Sequence, residues 1–135
     1  MSLRSRSRLW AVQGLYQYKS MRNVDIRITA EQLYEQFISF NSKNTCDSEY
    51  FRYLLSKSIK NAHELALMLS AITNLNALDL TTYSILICGI CELQDLHKSI
   101  VINEYINIAQ GLQSNHKQVN LLLDKIDITQ HKISK

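Results

Sequence analysis

Two cysteines have the spacing of redox and zinc-binding motifs. Cys88 and Cys91 flank two residues, as in thiol oxidoreductases and in half of a zinc site. A zinc site needs two more ligands, but Cys46 and the four histidines stand at no matching spacing (His63, His97, His116 and His131). A redox cysteine needs an exposed helix N-terminus after a strand, whereas both cysteines lie within an apolar segment. We interpret them as core residues, with a thiol enzyme as the alternative.

No other group of residues forms a catalytic motif. His63 and Glu64 lack the second histidine of a zinc protease motif, and no glycine-rich phosphate loop or paired nucleophile and base is present. The sequence therefore predicts a protein that is not an enzyme and that needs no metal or cofactor.

The composition indicates a helical protein. The 135 residues include 46% hydrophobic and 20% charged residues, which suits one globular domain, and three glycines and no proline leave little material for the turns of many strands. The most apolar stretch, residues 85–91, is too short to cross a membrane. The odd number of cysteines and the lack of an apolar leader predict a cytoplasmic protein, although residues 3–18 also resemble a mitochondrial presequence.

Hydrophobic periodicity predicts six helices. Their predicted positions are residues 5–21, a helix that begins after a Thr29/Gln32 capping box, a long helix from Asp47 or Ser48 to Leu69, a central helix at residues 80–96, a fifth at 99–112 and a sixth from about Ser114. Residues 41–47 read as a loop. The polar, basic tail at residues 129–135 is predicted to be flexible, which leaves residues 1–128 as the domain.

Positive charge is concentrated at the N-terminus. Five basic residues precede the first acid, Asp25 (Arg4, Arg6, Arg8, Lys19 and Arg22). The whole chain carries +3 and residues 1–24 carry +5, so the remainder carries −2. Guanidinium groups match phosphate oxygens, and this arm therefore suits nucleic acid, although such arms are more often only solvated.

Several segments together resemble one protein family. Residues 101–109 read VINEYINIA and residues 116–126 read HKQVNLLLDKI. They closely resemble the "VINEAVELAK … SHKFVNGVLDKI" signature of the NusB family. AVQGLYQ at residues 11–17, YFRYLL at 50–55 and CEL at 91–93 resemble the family in the same order, so that the resemblance covers nearly the whole chain.

The resemblance implies an all-α, compact fold of about six or seven helices in two packed bundles. It also implies an antitermination factor that is not an enzyme. Members of the family pair with the ribosomal protein NusE, bind boxA RNA and join other Nus factors on RNA polymerase, chiefly in ribosomal RNA operons.

The resemblance also assigns candidate site residues. Those expected to bind RNA are Arg4, Arg6, Arg8, Gln13, His116, Lys117, Gln118 and Asn120, and those expected to contact the partner are Tyr16 and Glu92. We expect the start of the first helix and Lys117 to form one electropositive surface. The chain departs from the family where Gln118 replaces a base-stacking aromatic, where Asn115 replaces a serine, and where Thr82 and Ile87 replace an acid and a base.

Two other functions remain open at this point. The chain could be a detached form of the NusB-like domain that precedes some ribosomal RNA methyltransferases, although it has no space for their catalytic half. It could also be a structural or regulatory homodimer whose arm masks the RNA surface.

Overall fold

The fold is known from a computed structural model that describes residues 1–40 and 45–128, without the side chain of Phe40. Within those residues there are seven α-helices, one 3₁₀ turn at Leu75–Ala77 and no strand. The helices are α1 (Leu3–Asn23), α2 (Ala30–Phe40), α3 (Ser48–Lys60), α4 (Ala62–Ser70), α5 (Leu80–Leu93), α6 (Lys98–Gly111) and α7 (His116–Lys125). The predicted all-α class is confirmed. Most of the predicted loop and the whole predicted tail lie outside the described residues.

The predicted start of the second helix is confirmed atom by atom. The backbone N–H of Gln32 donates to Oγ1 of Thr29 at 3.1 Å, and the backbone N–H of Thr29 donates to Oε1 of Gln32 at 2.8 Å. These reciprocal bonds satisfy two backbone donors and so fix where α2 begins.

The prediction of one long helix up to Leu69 was wrong. Its first part, α3, ends at Lys60, and α4 begins at Ala62. Asn61 between them has non-helical angles, φ −105° and ψ 16°, while its carbonyl already accepts the backbone N–H of Leu65 at 2.9 Å. Asparagine favours helix ends over helix interiors. The apolar spacing continues across Asn61, which is why periodicity alone did not show the break.

The described residues fall into two compact units, divided between Lys60 and Asn61. In the first, α1 packs against α2 and α3 around Phe51, which is fully buried. The ring centroid of Phe51 lies 5.7 Å from that of Trp10, 5.7 Å from that of Tyr34 and 5.5 Å from that of Phe37. Aromatic burial thus holds this small unit together. A Cβ at Gly14 would lie 3.0 Å from Cδ2 of Leu55, so this glycine lets α1 and α3 approach closely.

In the second unit, α5 packs against α4, α6 and α7. Every residue from 84 to 93 is buried, as expected for the predicted central helix, although α5 ends at Leu93 and not at residue 96. Asp79 caps it by accepting the backbone N–H of Thr82 at 2.7 Å. At the far end of α7, the Lys98 ammonium donates to the carbonyl oxygen of Asp124 at 2.7 Å and so satisfies a helix-end acceptor.

None of the helices in the described part of the chain has the length and apolarity required to span a lipid bilayer.

Candidate nucleic-acid interface

The first turn of α1 presents two exposed arginines. The side chain of Arg4 is 55% exposed; its Nε lies 3.9 Å from Oδ2 of Asp47, and its guanidinium carbon lies 4.3 Å from the ring centroid of Tyr50. Nη1 of Arg6, also exposed, donates to the carbonyl oxygen of Thr45 at 3.3 Å. Both guanidinium groups are therefore oriented by protein contacts while they remain accessible to solvent.

Backbone contacts hold this turn in place. The N–H of Asp47 donates to the carbonyl oxygen of Leu3 at 3.2 Å, and the Ser7 hydroxyl donates to the carbonyl oxygen of Asp47 at 2.6 Å. Ser2 caps α1 by accepting the N–H of Ser5 at 3.0 Å. The basic arm predicted from the sequence is thus a helix turn tied to the segment before α3.

Arg8 differs from its neighbours because it is buried, with only 5% of its surface exposed. Its guanidinium carbon lies 5.4 Å from the ring centroid of Tyr50. A side chain this enclosed offers little surface to a phosphate group, so the structure favours a packing role for Arg8 over the predicted RNA contact.

Gln13 and Tyr16 lie further along α1, and both are exposed, Tyr16 to 43%. They line an open surface groove of about 490 Å³. The other residues that line it are Gln17, Ser20, Met21 and Phe37. Aromatic, amide and hydroxyl groups here face solvent together, an arrangement typical of a docking surface.

The start of α7 carries the other predicted RNA residues. Lys117 and Asn120 are exposed, and His116 and Gln118 are half-buried. Oδ1 of Asn115 accepts the backbone N–H of Gln118 at 3.1 Å, so the asparagine that replaces the family's serine still caps this helix. The first turn of α7 has no acidic residue that would offset the charge of Lys117. Its positive charge and the positive end of the helix dipole therefore act together.

Glu92, which was predicted to contact the partner, lies in the interior of the second compact unit. This residue is only 3% exposed, and Oε2 of its carboxylate accepts a hydrogen bond from the Tyr105 hydroxyl at 2.6 Å. Burial and this bond favour a structural role for the carboxylate over the predicted partner contact. The two departures in the same helix are buried too: Thr82 lies with its Oγ1 2.7 Å from Oγ of Ser114, and Ile87 is fully enclosed.

The predicted meeting of the α1 arginines with Lys117 on one surface stays a prediction. The arginines belong to the first compact unit and Lys117 belongs to the second. Each helix start by itself is basic and accessible.

All three cysteines are buried free thiols, with Cys88 0%, Cys91 1% and Cys46 7% exposed. Burial raises the pKa of the Cys46 thiol above its ordinary value, which disfavours the reactive thiolate. Within residues 1–40 and 45–128, no group of three or more His, Cys, Asp or Glu residues is arranged to hold a metal ion. The interpretation of Cys88 and Cys91 as core residues agrees with this placement.

We expect iodoacetamide to leave all three thiols of the native protein unmodified for a period that suffices to modify all three in denaturant, because the sulfur atoms are shielded from solvent. Intact mass spectrometry counts the added groups. Rapid double modification of Cys88 and Cys91 in the native protein would instead support the thiol enzyme.

Two tyrosines of α3, Tyr50 and Tyr53, were not predicted from the sequence to belong to a site. The Tyr50 ring lies against two arginines of α1, and Tyr53 is 46% exposed. Their spacing with Lys57 at positions i, i+3 and i+7 places all three on one helix face, which was the available signal.

The described residues therefore form a small all-α protein. It presents basic side chains at the starts of two helices, α1 and α7. The sequence profile of the NusB family matches residues 5–127. Relatives named "Transcription antitermination protein NusB" include that of Edwardsiella ictaluri, 37% identical over 91% of this chain and 90% of the relative. Those of Haemophilus influenzae strain 86-028NP (93% and 88% covered) and Yersinia pestis strain Pestoides F (96% and 95% covered) are 30% identical. The chain belongs to the NusB family.

Proposed function

We propose that this protein is a cytoplasmic transcription antitermination factor that binds boxA-type single-stranded RNA together with the ribosomal protein NusE. Family membership over residues 5–127 supports the antitermination role. The observation that carries the RNA-binding role is the pair of exposed, pre-oriented guanidinium groups of Arg4 and Arg6 at the start of α1.

The chemistry of RNA binding follows from these groups. Arginine forks donate two parallel hydrogen bonds to phosphate oxygens, and each neutralised phosphate releases counterions. Lys117 adds a positive charge, and the positive end of the α7 helix dipole favours an anion. Gln13, Gln118 and Asn120 supply amides that can bond to base edges. In this proposal the protein acts as an adaptor and not as an enzyme, because the groups named here bind RNA and none of them is assigned a reaction.

NusE is proposed to dock at the groove of α1 beside Tyr16. Tyr16 is 43% exposed, and its side chain combines an apolar ring with a hydroxyl, as do the anchors of many protein interfaces. Other Nus factors and RNA polymerase then join the RNA-bound pair to suppress termination in ribosomal RNA operons. Glu92 takes no direct part in this contact, because it is buried.

Binding to a boxA oligonucleotide, with a scrambled oligonucleotide as control and with and without NusE, tests the proposal. We expect Arg6→Ala and Lys117→Ala each to weaken binding about five-fold at 0.1 M salt and to lower the salt slope by about 0.7, the effect of one lost phosphate contact on a single strand. Fluorescence anisotropy at several salt concentrations measures both quantities.

Arg27→Ala serves as the matched control, because Arg27 is an exposed arginine that lies between α1 and α2. It should retain affinity and slope. Equal binding of boxA and scrambled RNA by the wild type, with or without NusE, would contradict the proposal. Unchanged slopes in both test variants would contradict the assigned surface.

A further inference from the structure

Four side chains of the first compact unit form a row in which two cations flank two aromatic rings. The Arg4 guanidinium carbon lies 4.3 Å from the Tyr50 ring centroid, and that centroid lies 6.0 Å from the centroid of Tyr53. Nζ of Lys57 lies 5.4 Å from the Tyr53 ring centroid and donates to the Tyr53 hydroxyl at 3.1 Å. We call Arg4, Tyr50, Tyr53 and Lys57 the cation–tyrosine row.

The sequence of α3 produces this row. Tyr50, Tyr53 and Lys57 recur at helical spacing on one face, and Lys60 adds a second cation in the last turn. Two acids belong to the same region: Asp47, whose Oδ1 accepts the backbone N–H of Tyr50 at 3.1 Å and whose Oδ2 faces Arg4, and Glu49, which is exposed in the first turn of α3. The three cations Arg4, Lys57 and Lys60 outnumber these two acids, so the region carries net positive charge with aromatic surface between the cations.

We propose that the cation–tyrosine row is a stacking site for unpaired bases of single-stranded RNA, which extends the RNA surface from the start of α1 along α3. This inference rests on the proposed RNA-binding function. Aromatic rings stack on bases of any sequence, while flanking cations bind the phosphates on either side, and this combination is what single-stranded nucleic acid requires.

The two tyrosines have different parts in the site. Arg4 and Arg8 lie against the Tyr50 ring, which is half-buried and therefore serves as a rigid support. Tyr53 is 46% exposed and offers the platform for a base. The row thus supplies the aromatic contact that Gln118 does not provide at the start of α7.

Substitutions at Tyr53 in the full chain test the site with the same boxA oligonucleotide. We expect Tyr53→Ala to weaken binding about ten-fold, because the stacking platform is removed, and Tyr53→Phe to bind within about two-fold of wild type, because the ring remains. Lys57→Gln should lower the salt slope by about 0.7. The Tyr53→Trp variant should bind RNA, and a base stacked on the new indole should quench its fluorescence. The protein's natural tryptophan, Trp10, is buried and should not respond.

Thermal unfolding by circular dichroism establishes that each variant is folded, and the exposure of Tyr53 predicts midpoints close to that of wild type. Wild-type affinity of Tyr53→Ala, or equal losses in Tyr53→Ala and Tyr53→Phe, would overturn the stacking site. So would a Tyr53→Ala variant that loses NusE binding but keeps RNA binding, because the row would then be a protein contact.

The two proposals fail in distinguishable ways. If wild type binds boxA RNA and Arg6→Ala weakens it while Tyr53→Ala does not, only the stacking site is wrong. If wild type does not discriminate boxA from scrambled RNA with or without NusE, the proposed function itself is wrong.

Discussion

Phe51→Ala is expected to lower the free energy of unfolding by about 4 kcal/mol, because it removes a fully buried ring from the centre of the first compact unit. Three aromatic rings, those of Trp10, Tyr34 and Phe37, lie against it with centroids 5.5–5.7 Å away. A cavity among several rigid rings collapses poorly, so the loss should lie in the upper part of the range for such substitutions.

Urea denaturation followed by far-ultraviolet circular dichroism measures this loss. Phe51→Leu is the matched control: it keeps most of the apolar volume and should lose about 1.5 kcal/mol. Equal stability of wild type and Phe51→Ala would show that the aromatic cluster does not hold this unit together. Because Phe51 lies on α3 next to Tyr50, the same substitution should also weaken RNA binding by loosening the support of the first turn of α1.

Local signals in the sequence predicted the helices well. The capping box at Thr29 and Gln32 is a short-range pattern, and the structure contains both of its hydrogen bonds. The apolar run of α5 predicted burial on every side, which residues 84–93 confirm. Such features depend on residues within one helical turn or on the composition of one helix, and a single sequence contains that information.

Features that depend on contacts distant in sequence were not predicted. The break at Asn61 was hidden because the apolar spacing continues across it. Arg8 looked like its neighbours Arg4 and Arg6, yet α3 encloses it through Tyr50, which is more than 40 residues away. The cation–tyrosine row likewise joins α1 to α3. Burial of a particular side chain is a tertiary property, so residue type alone assigned Arg8 and Glu92 to a surface where the structure does not place them.

Tyr105→Phe is expected to lower the free energy of unfolding by about 2 kcal/mol. The substitution removes only a hydroxyl, but that hydroxyl donates to the Glu92 carboxylate at 2.6 Å inside the second compact unit. The loss of one hydrogen bond to a buried carboxylate costs about 1–3 kcal/mol. The fully buried ring of Tyr105 remains in place, so the change reports on the hydrogen bond and not on packing.

A double-mutant cycle with Glu92→Gln separates a structural role of Glu92 from a partner contact. If Glu92 serves to pair with Tyr105, each single variant loses stability, and the double variant loses about 1 kcal/mol less than the sum of the two single losses. All three variants, once shown to be folded, should then bind NusE as wild type does. If Glu92 contacts the partner, Glu92→Gln weakens NusE binding while Tyr105→Phe leaves it unchanged. Burial of the carboxylate favours the first outcome, because interface hot spots must first be accessible to the partner, whereas this side chain is already enclosed by its own unit.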